Sequence, residues 1–444
     1  MSSQIKVELI WIDNGKQVGA KLFFSGQPER TADISMQEIR ENYKGKINNA
    51  DVMPYGLRGK PGVQLKHEQS KRNTGHPIAT YTLMHAKDIV CRVYPIENRI
   101  EIVAGEYLPF ALTGLKATLD GSYYLDGSIL LDGKGQLTVT VFEQWLTARI
   151  DNLSRTYMNR VYIARKVGRD REKILRDSCA VSIIDNFWIK RSDVDFSWEE
   201  LRRKRDKNLD LVTIALTGNS PKPPDFRKAE EDTTSLFALK GAFPKAVYEG
   251  ALLKKDNNAE YEAVAYQLGS ILGVSVAKAV RVNGMVECEL FTSEAVSMAH
   301  ARDLLQFTDY ETSKDEHKAL YDYFKQQGRE DVVRQLERLY IFNYLVENTD
   351  FHYENFGFLY DSVSFKITAV APAYDFNSAF GGFNDISVFY VWIFDSLPLF
   401  MRNHADLKER LMNLEFLDAL KNMADLTLEQ IKCVQARADY LCSL

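Results

Sequence analysis

The chain has 444 residues, 45% hydrophobic and 26% charged, with a formal net charge of −5. Those are the proportions of a globular protein long enough for two or three domains, and the slight acidity excludes a global basic field that would draw it to nucleic acid or anionic membrane. No run approaches the ~20 apolar residues of a membrane span; Cys91, Cys179, Cys288, Cys433 and Cys442 offer neither a zinc spacing nor a disulfide framework, and the first residues lack the pattern of a secretion signal, so a reducing cytoplasm is the expected setting.

In chain order, residues 5–24 alternate in polarity about Asn14-Gly15, which predicts a β-hairpin with a tight turn. Residues 40–80 carry little periodicity and predict loops. A second hairpin-like stretch runs from Gly121 to Val141 through Asp126-Gly127, Asp132-Gly133 and Lys134-Gly135. Its core is the β-branched, alternating run Leu137–Phe142. From Glu143 the apolar spacing becomes helical, with Trp145, Leu146, Ile150 and Leu153 three to four residues apart. Residues 181–190 are a short apolar element. The basic run Arg202–Arg205 is flanked by Glu199, Glu200 and Asp206 and reads as a solvated helix face, so direct nucleic-acid binding is not expected.

The Pro-containing stretch Asn219–Asp225 predicts a linker. Past it, Ser235 to Lys255 predicts two strands about a turn at Tyr248-Glu249-Gly250. Residues 259–272 predict a helix with Ala263, Val264, Leu268, Ile271 and Leu272 on one side and Gly273 as its stop. A helix over 331–347, with Val332, Leu336, Leu339 and Phe342 inward, delivers the chain to Asp350. The tail from Asp406 predicts two helical pieces, the second opened by a capping box of Thr427 and Gln430.

The chemistry-bearing residues follow that helix. Asp350, then Asn355 five residues on, then Asp375-Phe376 after a predicted strand pair, supply an acid, an amide and a second acid. Phosphoryl transfer from ATP needs those groups: one carboxylate to take or orient the proton of the attacking hydroxyl, and an Asn and an Asp to hold magnesium against the triphosphate. The spacing of five from Asp to Asn is that of protein-kinase catalytic loops, but His352 stands two residues after the acid rather than before it, which points to an atypical branch. Taken singly, each would read as a turn residue. The helix before them and the hairpin between them favour the joint reading. His352 is expected to brace the loop by hydrogen-bonding the backbone.

A strand lysine paired with a helix glutamate would complete such a site. Lys254 and Lys255 end a predicted strand and point to opposite faces, so only one can serve; Lys254 with Glu262 is the favoured pair. Between the two strand candidates, Lys240–Ala246 stands where a nucleotide-covering flap belongs, with Gly241 and Lys245 as candidate phosphate contacts. It has one glycine, and Pro244 removes a backbone donor. No Walker A pattern is present.

The motifs NTDFHYENFGF, APAYDFNSAF, GAFPKAVYEGALLKKD and AEYEAVAYQLGSILG resemble the HipA-like bacterial serine/threonine kinases, founding members of which are toxins of toxin–antitoxin modules. The resemblance runs over roughly residues 145–444, with WLTARIDNLSR and SIIDNFWIK ahead of the linker, and the Asp-x-His-x-x-Asn order is also similar to that of phosphatidylinositol kinases. It implies an α+β, two-lobed, protein-kinase-like fold behind a mainly β N-terminal domain. The expected division is residues 1–142 for that domain, 143–310 for an N-lobe-like region and 311–444 for a mainly helical C-lobe. It further implies Asp350 as base, Asn355 and Asp375 on magnesium, Lys254 on ATP, a protein Ser or Thr as acceptor, and often a small helix-turn-helix antitoxin as partner. Members commonly autophosphorylate a serine in the flap; residues 240–247 contain neither Ser nor Thr, and Thr233, Thr234 and Ser235 are the nearest acceptors. Asn377 replaces the family's Gly or Ser after Asp375-Phe376. A small-molecule or lipid kinase, or a nucleotide-binding pseudokinase that docks a partner, are the alternative readings.

Overall fold

The computed structural model describes residues 5–12, 17–24, 27–35, 80–112, 123–125, 128–130, 137–150, 155–164, 170–191, 196–203, 209–219, 243–256, 258–305, 315–381 and 391–444. The expected loops at 40–79, the linker from 220 to 225, Gly241 and the acceptors at 233–235 lie outside them. The chain divides into two units, Met1–Gly75 and His76–Leu444.

In the first unit, β1 (Ile5–Ile12), β2 (Gln17–Phe24) and β3 (Gln27–Ser35) form an antiparallel sheet in that order. The β1–β2 register runs from Ile5 opposite Phe24 to Ile12 opposite Gln17, the hairpin expected about Asn14-Gly15.

The second unit mixes helix and sheet. β4 (Tyr81–His85), β5 (Asp88–Tyr94) and β6 (Arg99–Ile102) form an antiparallel meander. A short hairpin, β7 (Tyr123–Leu125) with β8 (Ser128–Leu130), follows. β9 (Phe187–Arg191) then pairs with β4 and gives the order β6-β5-β4-β9. That sheet joins residues on both sides of position 142.

The expected strand at Leu137–Phe142 is a helix, α1 (Val139–Ile150). Its β-branched residues favour strand only weakly. Val139, Val141, Phe142, Leu146 and Ile150 are all buried when the segment is wound, and that burial overrides propensity. α2 (Met158–Ala164), α3 (Arg171–Ser178), α4 (Trp198–Arg203) and α5 (Leu209–Thr217) follow, and side chains of α1, α2, α3 and α5 share a core with the sheet β6-β5-β4-β9.

β10 (Lys245–Tyr248) and β11 (Ala251–Lys254) form the expected hairpin, with Glu249 and Gly250 both at positive φ, as a tight two-residue turn requires. β12 (Ala279–Val282) and β13 (Met285–Glu289) complete the sheet β10-β11-β13-β12. Between them, α6 (Glu260–Leu272) buries Ala263, Val264, Leu268 and Leu272, and stops at Gly273 with φ +68°.

β14 (Val296–His300) leads into α7 (Ala301–Leu305), and α8 (Glu316–Gln326) and α9 (Glu330–Leu345) bring the chain to Asp350. β15 (Gly357–Asp361) and β16 (Ile367–Val370) are the strands expected between Asn355 and Asp375, and β14 pairs with β15 at its edge. α10 (Val391–Asn403), α11 (Ala405–Met412), α12 (Leu414–Lys421) and α13 (Leu428–Ser443) close the chain; α13 opens with the expected capping box. α10 has no counterpart in the sequence analysis; it contains Pro398, and Ile393, Leu397, Phe400 and Met401 bury its face and hold it wound.

His300 and Gly357 are directly paired, and a Cβ on Gly357 would stand 2.3 Å from the Ala299 carbonyl oxygen. Backbone on both sides leaves no room to yield. Gly357→Ala is therefore expected to cost about 1–3 kcal/mol of stability; an unchanged denaturant midpoint would show that the strand pair is looser than this.

Candidate active site

Three segments converge. β10 and β11 contribute Lys245 and Lys254, which are directly opposed in the antiparallel register and so point to the same face. α6 contributes Glu262 from its first turns. The segments after α9 and after β16 contribute Asp350 with Asn355, and Asp375.

Lys254 is the junction. It is 6% exposed, whereas Lys255 next to it is exposed, as strand alternation requires. Its Nζ is ion-paired with Glu262 Oε1 and lies 2.9 Å from Asp375 Oδ1. Glu262, 2% exposed, also accepts from the Phe376 backbone N–H at 3.2 Å, so one carboxylate holds both the lysine and the peptide after Asp375. Burial works against the charge on Lys254, but Asp375 and then Glu262 outweigh it and raise the ammonium well above its usual range. Burial likewise opposes ionisation of Asp375; Lys254, then Lys245, outweigh it and hold that carboxyl well below the usual carboxylate range. Lys245 is lowered, chiefly by burial, with Asp375 opposing and Lys254 adding to the effect. Two cations thus face two anions in a nearly dry space.

The loop after α9 is fixed from within. Asn355 Nδ2 donates to the Asp350 backbone carbonyl at 2.8 Å and to its Oδ2 at 3.0 Å, which leaves the Asn355 amide oxygen outside that bond. Asp350, about half-exposed, keeps its carboxylate open to solvent. His352 accepts from the Glu354 N–H at Nδ1, 3.2 Å away, and its Nε2 lies 3.6 Å from Asp350 Oδ1, the bracing role expected of it. The two loops are then stitched together. Thr349 donates through N–H and hydroxyl to the Ser378 carbonyl, at 3.3 and 3.0 Å. Asn348 Nδ2 reaches the Asp375 carbonyl at 3.5 Å, and Asn258 Nδ2 the Asn377 carbonyl at 2.9 Å.

Each of the three functional residues on the loops is followed by a buried phenylalanine: Asp350 by Phe351, Asn355 by Phe356 and Asp375 by Phe376. Each ring anchors its loop in the core, at about 1.5–3 kcal/mol apiece, and leaves the polar neighbour at the surface of that core. Asp375 sits at φ +68°, a left-handed conformation that costs a non-glycine residue about 1–3 kcal/mol.

The site therefore brings together Lys254, Glu262, Asp375 and Lys245 on one side and Asp350 with Asn355 on the other, while Gly241 is outside the described residues. Asp375 and Asn355 offer oxygen donors, as magnesium prefers. Among the described residues no group of three or more His, Cys, Asp and Glu side chains forms a self-sufficient metal cage. The sequence reading did not anticipate the direct Lys254–Asp375 contact, which spans 121 residues, nor the place of His317.

Residues 216–432 match the family model of the HipA-like C-terminal domain. Over that span the chain is similar to the HipA-like C-terminal domain. The matched span includes every candidate site residue but begins after WLTARIDNLSR and SIIDNFWIK, which the sequence reading had included. Among solved structures, the Helicobacter pylori proinflammatory kinase CtkA is similar at 17% identity and a TM-score of 0.33, over 45% of this chain and 90% of that one. HipA of Shewanella oneidensis MR-1, solved with HipB and operator DNA, is similar at 12% identity and a TM-score of 0.44, over 82% of this chain and 96% of that one. No curated protein matches significantly.

His317, 1% exposed, stacks on Phe351 at 5.3 Å and on Phe356 at 5.5 Å between ring centroids, and so grips both ends of the Asp350–Asn355 loop. Burial lowers its pKa from 6.5 to about 3. Between those values the unfolded chain binds a proton that the folded one does not. Its contribution is thus complete above pH 6.5, and below it stability falls by up to about 1.4 kcal/mol per pH unit. Chemical denaturation from pH 7 to pH 5 should show a steeper loss in wild type than in His317→Phe; parallel curves would contradict this.

Proposed function

We propose that this chain is an ATP- and magnesium-dependent kinase of HipA-like type that phosphorylates Ser or Thr of a protein substrate. The observation that carries the reading is Lys254, buried on β11 and bonded at once to Glu262 of α6 and to Asp375. A buried lysine tied to a helix glutamate and to a downstream aspartate has the charge and order that a triphosphate with its metal requires.

In this reading Glu262 keeps Lys254 in place while the ammonium exchanges Asp375 for α- and β-phosphate oxygens. Asp375, released from the lysine, and Asn355, through its amide oxygen, would hold magnesium, which would supply positive charge against that developing on the phosphates. Lys245 adds a second cation from the adjacent strand. Asp350, on the open side, accepts the proton of the acceptor hydroxyl as its oxygen bonds to the γ-phosphorus and the bond to the β,γ-bridging oxygen breaks, leaving ADP. Asn355, hydrogen-bonded to Asp350, keeps the base and the metal ligand in fixed relation, and His352 braces the same turn.

The two-lobed kinase-like arrangement belongs to this proposal, with β10–β13 and α6 above and the helices from α8 onward below. So do a cytoplasmic setting and a small helix-turn-helix antitoxin as partner. Among the described residues no helix is long and apolar enough to cross a membrane.

Asp350→Asn removes the proton acceptor and little else. With purified protein, labelled ATP and magnesium, phosphoryl transfer is expected to fall by at least about a thousandfold, with ATP affinity and thermal stability close to wild type. Transfer at an undiminished rate in that variant would refute the base assignment.

A further inference from the structure

The helix that ends the described chain, α13, touches the site through one side chain in particular. Gln430 Oε1 accepts from the Thr427 N–H at 2.8 Å, and the Thr427 hydroxyl accepts from the Gln430 N–H at 3.2 Å, closing the capping box. The Gln430 side-chain nitrogen does something a cap does not need. It donates to the Tyr261 hydroxyl at 2.8 Å and to the Phe380 carbonyl at 2.6 Å. A primary amide has two donors and one carbonyl acceptor, and every one of them is engaged.

The two targets belong to the two elements that meet at Lys254. Tyr261 directly precedes Glu262 on α6. Phe380 ends the segment that begins at Asp375, and its ring lies edge-on to Tyr261 at 5.3 Å between centroids. Phe380 is also held at φ +58°, a conformation an aromatic residue adopts only under constraint. Its N–H is bonded to the Val346 carbonyl at 2.7 Å, and its carbonyl is bonded to Gln430. Two helical turns further along the same face, past the fully buried Val434, Arg437 is ion-paired at 2.7 Å with Glu347. Glu347 is itself at φ +50° and stands three residues before Asp350.

We infer that Gln430 is a positioning residue: by bonding Tyr261 and Phe380 together from α13, it fixes the distance between Glu262 and Asp375 across Lys254. Its effect on catalysis rests on the kinase reading above; its effect on the Asp375–Phe380 segment does not.

Gln430→Glu separates bracing from capping. The carboxylate still accepts from the Thr427 N–H, so the cap persists, but it has no donor for the Phe380 carbonyl and sets oxygen against oxygen there. Thr427→Ala does the reverse. In the full-length protein, Gln430→Glu is expected to lower kcat at saturating MgATP by at least about tenfold, while Thr427→Ala stays within about twofold even if its Tm falls as far. Equal kcat losses in the two variants, or none in Gln430→Glu, overturn the inference. Tyr261→Phe, which removes only the hydroxyl, is the second variant should Gln430→Glu fail to fold; its kcat is expected to fall several-fold, and a wild-type kcat counts against the brace. Amide hydrogen exchange over Phe376–Phe380 decides the matter independently of activity. It should quicken in Gln430→Glu or Tyr261→Phe but not in Thr427→Ala, and an unchanged rate in all three overturns the inference even in a protein that transfers no phosphate.

Discussion

A lysine ammonium taken out of water costs several kcal/mol unless anions replace its hydration, and Lys254 has two of them, Glu262 and Asp375. That triad joins a strand, a helix and a loop drawn from residues 254 to 375, and it can form only when all three are in place. Lys245, directly across the strand pair, adds a second buried cation, so the cluster is balanced by its own side chains. A balanced cluster can exchange partners at low cost: phosphate oxygens for Asp375 on the lysine, a divalent ion for the lysine on Asp375. Under the proposed function, the arrangement that stabilises the protein without nucleotide is therefore the one that nucleotide and metal take apart and rebuild.

The rest of the second half of the chain reads as the means of holding that cluster. Phe351, Phe356 and Phe376 pin the loops into the core one residue after each polar group, and His317 stacks between the first two. Backbone strain gathers at the same place, with Glu347, Asp375 and Phe380 all at positive φ. Strain of this kind persists only where neighbours over-determine it. Here the neighbours can be named: Arg437 on Glu347, Lys254 on Asp375, and Gln430 with Val346 on Phe380. Two of these four, Arg437 and Gln430, come from α13, which makes the end of the described chain part of the site's framework.

Local signals carried far in this sequence, and long-range ones did not. The hairpin turn at Glu249-Gly250, the helix stop at Gly273, the strands around Ser362 and the capping box at Thr427 follow from a few adjacent residues whose conformational preferences tertiary context leaves intact. Strand alternation set Lys254 and Lys255 on opposite faces, but which of the two is buried depends on the packing around the strand. Leu137–Phe142 was misread because β-branched residues state a preference worth only tenths of a kcal/mol, while burying Val141, Phe142 and Leu146 together on α1 is worth several. α10 stays wound with Pro398 inside it for a related reason, since packing outweighs a missing hydrogen bond. Gln430 was legible as a cap but not as a brace, because nothing near it in sequence announces Tyr261, 169 residues earlier, or Phe380, 50 residues earlier.

The central claim is that Asp375 holds a magnesium ion that ties nucleotide to Lys254. Equilibrium binding of ATP to wild-type protein and to Asp375→Asn, each with magnesium and with a chelator in its place, tests it most directly. The account predicts that wild type binds ATP at least about tenfold more tightly with magnesium than without, and that the variant loses this difference. Equal affinities with and without the ion in wild type, or a magnesium effect that survives in the variant, would contradict it.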